Sequence, residues 1–207
     1  LEYGFPVLVK GSRSGAQLCH TWAQVMEQML GNTPSAKGGD QGAGAGPPTD
    51  KMDQKGSKFV QQYVPGPERT FAFAAFRGEL LGCVQMTKNV NTREGKVWCG
   101  SLDPVPAKVY SGIRNFVEQT GYTGGGELEC VFDMLSGAQF LIDFNARFPS
   151  WIHAAGLTGC NLVGSLVARA LAHEQGVLAA TAGIVTPAES LVFTRSVSEI
   201  AMHNCQP

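Results

Sequence analysis

The tightest constraint on this chain lies between residues 127 and 145. Two short runs of alternating character flank a Ser136-Gly137 turn signal there. Side chains alternate across a strand, so parity assigns faces. With strands over 127–133 and 139–145, Leu128, Cys130, Phe132, Phe140, Ile142 and Phe144 share one face, which is expected to pack into a core. The other face carries Glu127, Glu129, Asp133, Asp143 and Asn145, with Arg147 just beyond. A turn centred on Ser136 sets Glu129 directly opposite Asp143. Such partners sit about 4.5–5.5 Å apart, and like charges there destabilise a sheet. Two readings stay open. The face is simply solvated, or a divalent cation turns the repulsion into coordination. Two carboxylates plus the Asn145 amide oxygen are hard donors that suit Mg²⁺ or Mn²⁺. Arg147 stands where the strand breaks into Phe148-Pro149-Ser150-Trp151. It can clamp an oxyanion bidentately or form a salt bridge to one of the same carboxylates.

Length and composition narrow the class. The 207 residues suit one large domain or two small ones. Sixteen basic against seventeen acidic residues leave no broad attraction for nucleic acid or an anionic membrane. No apolar run approaches the roughly 20 residues of a membrane span. The Pro, Gly and charged residues around Leu1–Lys10 argue against a secretory signal peptide. The six cysteines (Cys19, Cys83, Cys99, Cys130, Cys160 and Cys205) show no close ligand spacing. Free, buried thiols in a reducing cytoplasm are the expectation.

Periodicity outlines an α+β chain. A strand is expected over 5–10, followed by a Gly loop over 11–15. A helix over 16–30, capped by Ser14, would bury Trp22, Met26 and Met29. Residues 32–57 hold Gly38, Gly39, Gly42, Gly44, Gly46, Pro34, Pro47 and Pro48 with almost no aliphatics, so they read as a disordered insertion. Strands follow over 59–64, 70–76 and 79–87, with a turn at Arg77-Gly78. Helices over 105–119 and 161–173 flank the acidic hairpin, and a last strand falls over 191–193. The run Gly124-Gly125-Gly126 precedes a strand, so a tight turn is expected there. His20, His173 and His203 are placed on the surface, and His153 is expected to be partly buried.

In this setting the hairpin ending Leu141-Ile142-Asp143-Phe144-Asn145-Ala146-Arg147-Phe148-Pro149 resembles the second metal-binding strand of ATP-grasp enzymes. The spacing of Glu129 and Asp143 is similar to that of the two metal ligands in the carbamoyl-phosphate-synthase-like branch. Phe5–Lys10 with Gly11–Gly15 resembles the family's phosphate-binding lysine and mobile Gly loop. Val60–Glu68 resembles its adenine-hinge strand. Together these cover about residues 4–170.

The resemblance implies an ATP-grasp fold, with a lid subdomain over 1–58 that contains the insertion and a C-terminal subdomain over 59–207. ATP and Mg²⁺ (or Mn²⁺) would lie between them. It implies a ligase that activates a small-molecule carboxylate as an acyl phosphate for attack by an amine. A non-catalytic ATP-binding module and a biotin-carboxylase-like subunit are the alternatives. Lys10 would contact the α/β-phosphates, with Ser12 and Gly15 in the closing loop. Gln61, Gln62 and Val64 would line adenine, Gln62 and Val64 through backbone, and Glu68 would bind ribose. Glu129, Asp143 and Asn145 would hold magnesium. Arg147 would stabilise the transferred phosphate, with Lys88 as a second phosphate contact. The resemblance leaves a homodimer open and calls for neither nucleic acid nor membrane. Asp143 stands where the family commonly has Glu, Ala146 where it has Pro, and Gln61 where it has Glu. The family's N-terminal Rossmann-like domain has no counterpart in these residues, so a fragment or a truncated relative is implied.

Overall fold

The computed structural model describes residues 4–11, 16–30, 57–93, 97–177, 185–187 and 190–195. The insertion over 32–57, Ser12, Ser14, Gly15, His203 and Cys205 fall wholly or almost wholly outside them. The chain divides into two compact units, Leu1–Val64 and Pro65–Pro207.

The first unit is a three-stranded antiparallel sheet with one helix. β1 (Val7–Gly11) lies in the middle, flanked by β2 (Ala16–Cys19) and β3 (Lys58–Gln62). Because β3 pairs with β1 along its whole length, residues 59–64 belong to this unit, and the boundary falls later than residue 58. The expected helix over 16–30 is shorter. Ala16–Cys19 pairs with Val7–Lys10 as a strand, and α1 spans only Trp22–Leu30. Thr21 starts the helix, its Oγ1 accepting from the Gln24 N–H at 3.3 Å, while Gln24 Oε1 accepts from the His20 N–H at 2.7 Å. The core of the unit is Val7, Val9, Cys19 and Val25, with Val60 against it. A sheet this narrow covers little of the helix. Trp22, Met26 and Met29 are therefore exposed, contrary to the expected buried stripe, and the Trp22 ring meets Phe5 edge-on.

The second unit is built on a six-stranded sheet of order β8-β7-β4-β5-β6-β9. Its strands are β4 (Glu68–Phe76), β5 (Glu79–Asn91), β6 (Val97–Asp103), β7 (Gly124–Phe132), β8 (Gln139–Asn145) and β9 (Leu191–Thr194). The helices are α2 (Ala107–Thr120), α3 (Ile152–Leu157) and α4 (Leu162–Glu174). β4 is apolar from Phe71 to Phe76 because both its faces are covered there. Phe71, Phe73 and Ala75 pack with Cys83 against Ile113 and Val117 of α2. Ala72 and Ala74 pack with Val84 and Met86 against Trp151, Ala154, Ala155 and Leu162.

Local chemistry sets the turns. The β4–β5 hairpin turns on Arg77 and Gly78, both at positive φ, as a two-residue hairpin loop requires. That turn is tied to the segment after α2, with the Arg77 N–H on Thr123 Oγ1 at 2.7 Å and the Gly78 N–H on the Tyr122 carbonyl at 3.1 Å. Gly121 ends α2 in the left-handed region. Asn161 caps α4 through the Gly164 N–H.

The run Gly124-Gly125-Gly126 is the start of β7, not a turn. A Cβ on Gly126 would stand 2.3 Å from the Phe73 ring, and one on Gly125 2.6 Å from the Phe148 ring. Gly125 and Gly126 are required because an aromatic ring presses on the bare backbone at each. The Phe73 ring belongs to a cluster with Phe116, Tyr122 and Phe144, at centroid distances of 5.6–6.4 Å from each. Overpacking of this kind costs about 1–3 kcal/mol. Gly126→Ala should therefore lower the urea midpoint by that equivalent with an unchanged m-value. An unchanged midpoint would contradict the close ring contact.

Candidate functional site

The acidic hairpin forms as its parity requires near the site, and departs from it further out. Glu129 lies directly opposite Asp143, and Glu127 opposite Asn145. A bulge follows, so that Cys130 pairs with Leu141 and Ile142 is the extra residue. Beyond it the parity of β8 inverts. Leu141 and Phe144, rather than Phe140 and Ile142, join Leu128 and Cys130 along the α2 side of the hairpin, around an apolar cavity of about 690 Å³. Asp133 does not belong to the strand face. Its carboxylate accepts from the Ser136 hydroxyl and from the Leu135 and Ser136 N–H groups in the turn, and these bonds, the hydroxyl's first, hold it below the usual carboxylate range.

On the opposite side of the same strands is a cleft of about 630 Å³. Lys88 and Met86 of β5, Glu127 and Glu129 of β7, Arg147, and the Phe148–Trp151 segment line it, together with Arg195 beyond β9. Lys88 Nζ donates to Glu68 Oε2 at 2.7 Å and stands 3.9 Å from Glu129 Oε2. Burial alone would lower the Lys88 ammonium. Its hydrogen bond to Glu68 and the charges of Glu68, Glu129 and Glu127 outweigh that, so its pKa is raised. The Asn145 amide N–H reaches Glu129 Oε1 at 3.4 Å, which leaves the amide oxygen as a donor atom for a cation. Arg147 Nη1 donates to Glu127 Oε2 at 2.6 Å. The salt-bridge alternative for Arg147 is thus present, through a carboxylate that had been given no role.

Glu129 carries the electrostatic signature of the site. Burial raises its pKa above the ordinary 4.5; Lys88 opposes the rise, and the charges of Glu127, Asp143 and Glu68 add to it. The ionised form is therefore penalised by desolvation and by three other carboxylates. A divalent cation would relieve both penalties, and the oxygen donors of Glu129, Asp143 and Asn145 fit Mg²⁺. Among the described residues, no three His, Cys, Asp or Glu side chains form a ready-made cage.

The remaining expected site residues distribute as follows. Glu68 is engaged by Lys88. In the first unit, Lys10 on β1 faces Phe59 across the ladder and Gln61 faces Leu8, so Lys10 and Gln61 lie on the face away from the valine core. The Gln61 side-chain oxygen is buried with no hydrogen-bond partner among the described residues. Gln62 pairs with Val7 at the end of β3, and Val64 closes the unit. Ser12 and Gly15 lie outside the described residues. His153 is exposed rather than partly buried. All five described cysteines are free thiols. Burial pushes Cys83 up to about 12 and Cys130 and Cys160 each up to about 11, far from nucleophilic range. Two cleft residues had no role in the sequence reading. Glu127 was visible by parity alone. Arg195 was not, because it reaches the cleft only through the β6–β9 pairing.

The sign of the Glu129 effect is testable. A carboxyl whose folded pKa is raised favours folding most when protonated, so its contribution is lost as pH climbs from 4.5 through the raised value. In EDTA, Glu129→Gln should melt higher than the parent at pH 7, and the difference should shrink towards zero below pH 4.5. A difference independent of pH would contradict the repulsive cluster.

No protein-family model and no curated protein sequence matches the chain. Solved structures do. The biotin carboxylase domain of Hydrogenobacter thermophilus 2-oxoglutarate carboxylase, in complex with MgADP, ADP and bicarbonate, superposes with a TM-score of 0.57 at 17% identity, covering 80% of this chain and 36% of that one. N5-carboxyaminoimidazole ribonucleotide synthetase from Thermus thermophilus gives 0.57 at 16% identity over 91% and 46%. L-amino acid ligase from Bacillus licheniformis gives 0.50 at 16% identity over 81% and 39%. All three are ATP-grasp enzymes, and the chain spans less than half the length of each. The antiparallel main sheet with a smaller second sheet, α+β overall, is the ATP-grasp fold.

Proposed function

We propose that this chain binds Mg·ATP and belongs to a ligase that activates a carboxylate as an acyl phosphate for attack by an amine. The observation that carries the reading is the facing pair Glu129 and Asp143, with Asn145 beside them and Lys88, Arg147 and Arg195 lining the cleft that Glu129 enters. The magnesium would neutralise the β- and γ-phosphate oxygens. Glu129, Asp143 and Asn145 would hold it. Lys88 and Arg147 would contact the phosphoryl group in transfer, where positioning and charge neutralisation supply the catalysis. The substrate carboxylate attacks the γ-phosphorus and ADP leaves. The amine then attacks the acyl carbon and phosphate leaves. No protein nucleophile is required, in keeping with the suppressed acidity of the buried thiols.

On this reading Lys10 meets the α/β-phosphates, with Ser12 and Gly15 in the loop that covers them. Gln61, Gln62 and Val64 line adenine. The unpartnered Gln61 oxygen supports this, since adenine's exocyclic amine is the donor it lacks. Glu68 would exchange Lys88 for the ribose hydroxyls. The likeness to enzymes solved with MgADP supports the choice of nucleotide. Cytoplasmic residence is part of the same proposal. Among the described residues, no helix is long and apolar enough to cross a membrane.

At about 100 times Kd, MgADP should raise Tm by roughly 5–10 °C. Asp143→Ala should remove the magnesium-dependent part of that rise. A flat response of the parent protein would overturn the reading. ADP release across a panel of carboxylates (bicarbonate included) and amines separates the ligase from a non-catalytic nucleotide-binding module. Binding without substrate-dependent release would identify the module.

A further inference from the structure

Glu127 is the most deeply buried carboxylate of the cleft. Its side chain is 8% exposed, whereas that of its partner Arg147 is 58% exposed. On β4 it faces Ala72, whose methyl offers no polar contact, and on β8 it faces Asn145, whose amide N–H is turned to Glu129. The Glu127 carboxylate accepts a hydrogen bond from Arg147 Nη1 at 2.6 Å.

As a stability device this arrangement is poor. Burying a carboxylate costs several kcal/mol, and an ion pair whose cation lies mostly in water is screened and recovers little. Glu127 also adds to the charge crowding on Glu129, two residues away on the same face. An apolar side chain at 127 would serve the sheet better. What the carboxylate does provide is a fixed direction. Arg147 sits on the short segment after β8, and an arginine there must give up rotamer entropy before it can aim at anything. The Arg147 N–H donates to the Asn145 carbonyl at 2.8 Å, and the Phe148 ring lies on Gly125. Glu127 holds the guanidinium itself, whose Nη1 also donates to the Phe148 carbonyl at 3.4 Å, beside the cleft that Glu129 and Lys88 share.

We propose that Glu127 is a positioning residue: its buried carboxylate holds the Arg147 guanidinium beside the Glu129–Asp143 pair, aimed at the terminal phosphate of the bound nucleotide. This rests on the nucleotide reading given above. It adds that Arg147 discriminates a triphosphate from a diphosphate only while Glu127 orients it.

The test is calorimetric titration of the protein with Mg·AMP-PNP and with Mg·ADP, for the parent, Glu127→Ala, Glu127→Gln, Arg147→Ala and the Glu127→Ala/Arg147→Ala pair. Glu127→Ala should weaken Mg·AMP-PNP about 10-fold or more and Mg·ADP by less than 2-fold. Arg147→Ala should show the same selective loss, and the double variant no further loss. Glu127→Gln keeps an acceptor at the same place and should recover at least half of the discrimination. Should Glu127→Ala fail to fold, the smaller loss of Glu127→Gln, vanishing in an Arg147→Ala background, makes the same comparison. Equal weakening of both nucleotides, additive losses in the double variant, or no recovery with Gln would overturn the positioning role while leaving nucleotide binding intact. A parent protein that binds neither nucleotide would overturn the nucleotide reading, and the positioning role with it.

Discussion

Everything in the second unit turns on one unfavourable contact, the placement of Glu129 across from Asp143 on adjacent antiparallel strands. A sheet gains nothing from facing carboxylates, and Glu127 and Glu68 add further negative charge around Glu129. Lys88 answers part of it from β5, and the Asn145 amide answers part from β8. The residual charge is what the proposed hard cation would neutralise.

The hairpin that holds these groups is two-faced in a literal sense. One side presents carboxylates and an arginine to the cleft. The other presents Leu128, Cys130, Leu141 and Phe144 towards α2. The apolar side anchors the polar one, since Phe73, Phe116, Tyr122 and Phe144 form a ring cluster under the strands. The bare backbone at Gly126 lets the Phe73 ring of that cluster close onto β7, while Phe148 closes onto Gly125 from the cleft side. Rigidity at Glu129 and Asp143 is therefore supplied in part by packing on the far side of the sheet.

How much of this was legible depended on the range of the signal. Parity is strictly local, so the Glu129–Asp143 register and the face containing Glu127 could be read from residues alone. The bulge at Ile142 could not, because nothing in Phe140-Leu141-Ile142 distinguishes one apolar residue from the next. The segment 16–30 carried a helical stripe, yet Ala16–Cys19 became a strand because pairing with β1 satisfies its backbone and buries Cys19. The glycines at 124–126 looked like a turn because their reason, two rings from distant segments, is tertiary. Arg195 is the extreme case. Its place in the cleft follows from strand order, which a linear sequence does not display.

The most direct test of the central claim is anomalous diffraction from crystals of the protein grown with MnADP, collected near the manganese edge. The expected result is a peak within about 2.0–2.6 Å of oxygens from both Glu129 and Asp143, the range for hard-cation ligands. Nucleotide density without a peak between these two side chains, or a peak coordinated elsewhere, would contradict the account.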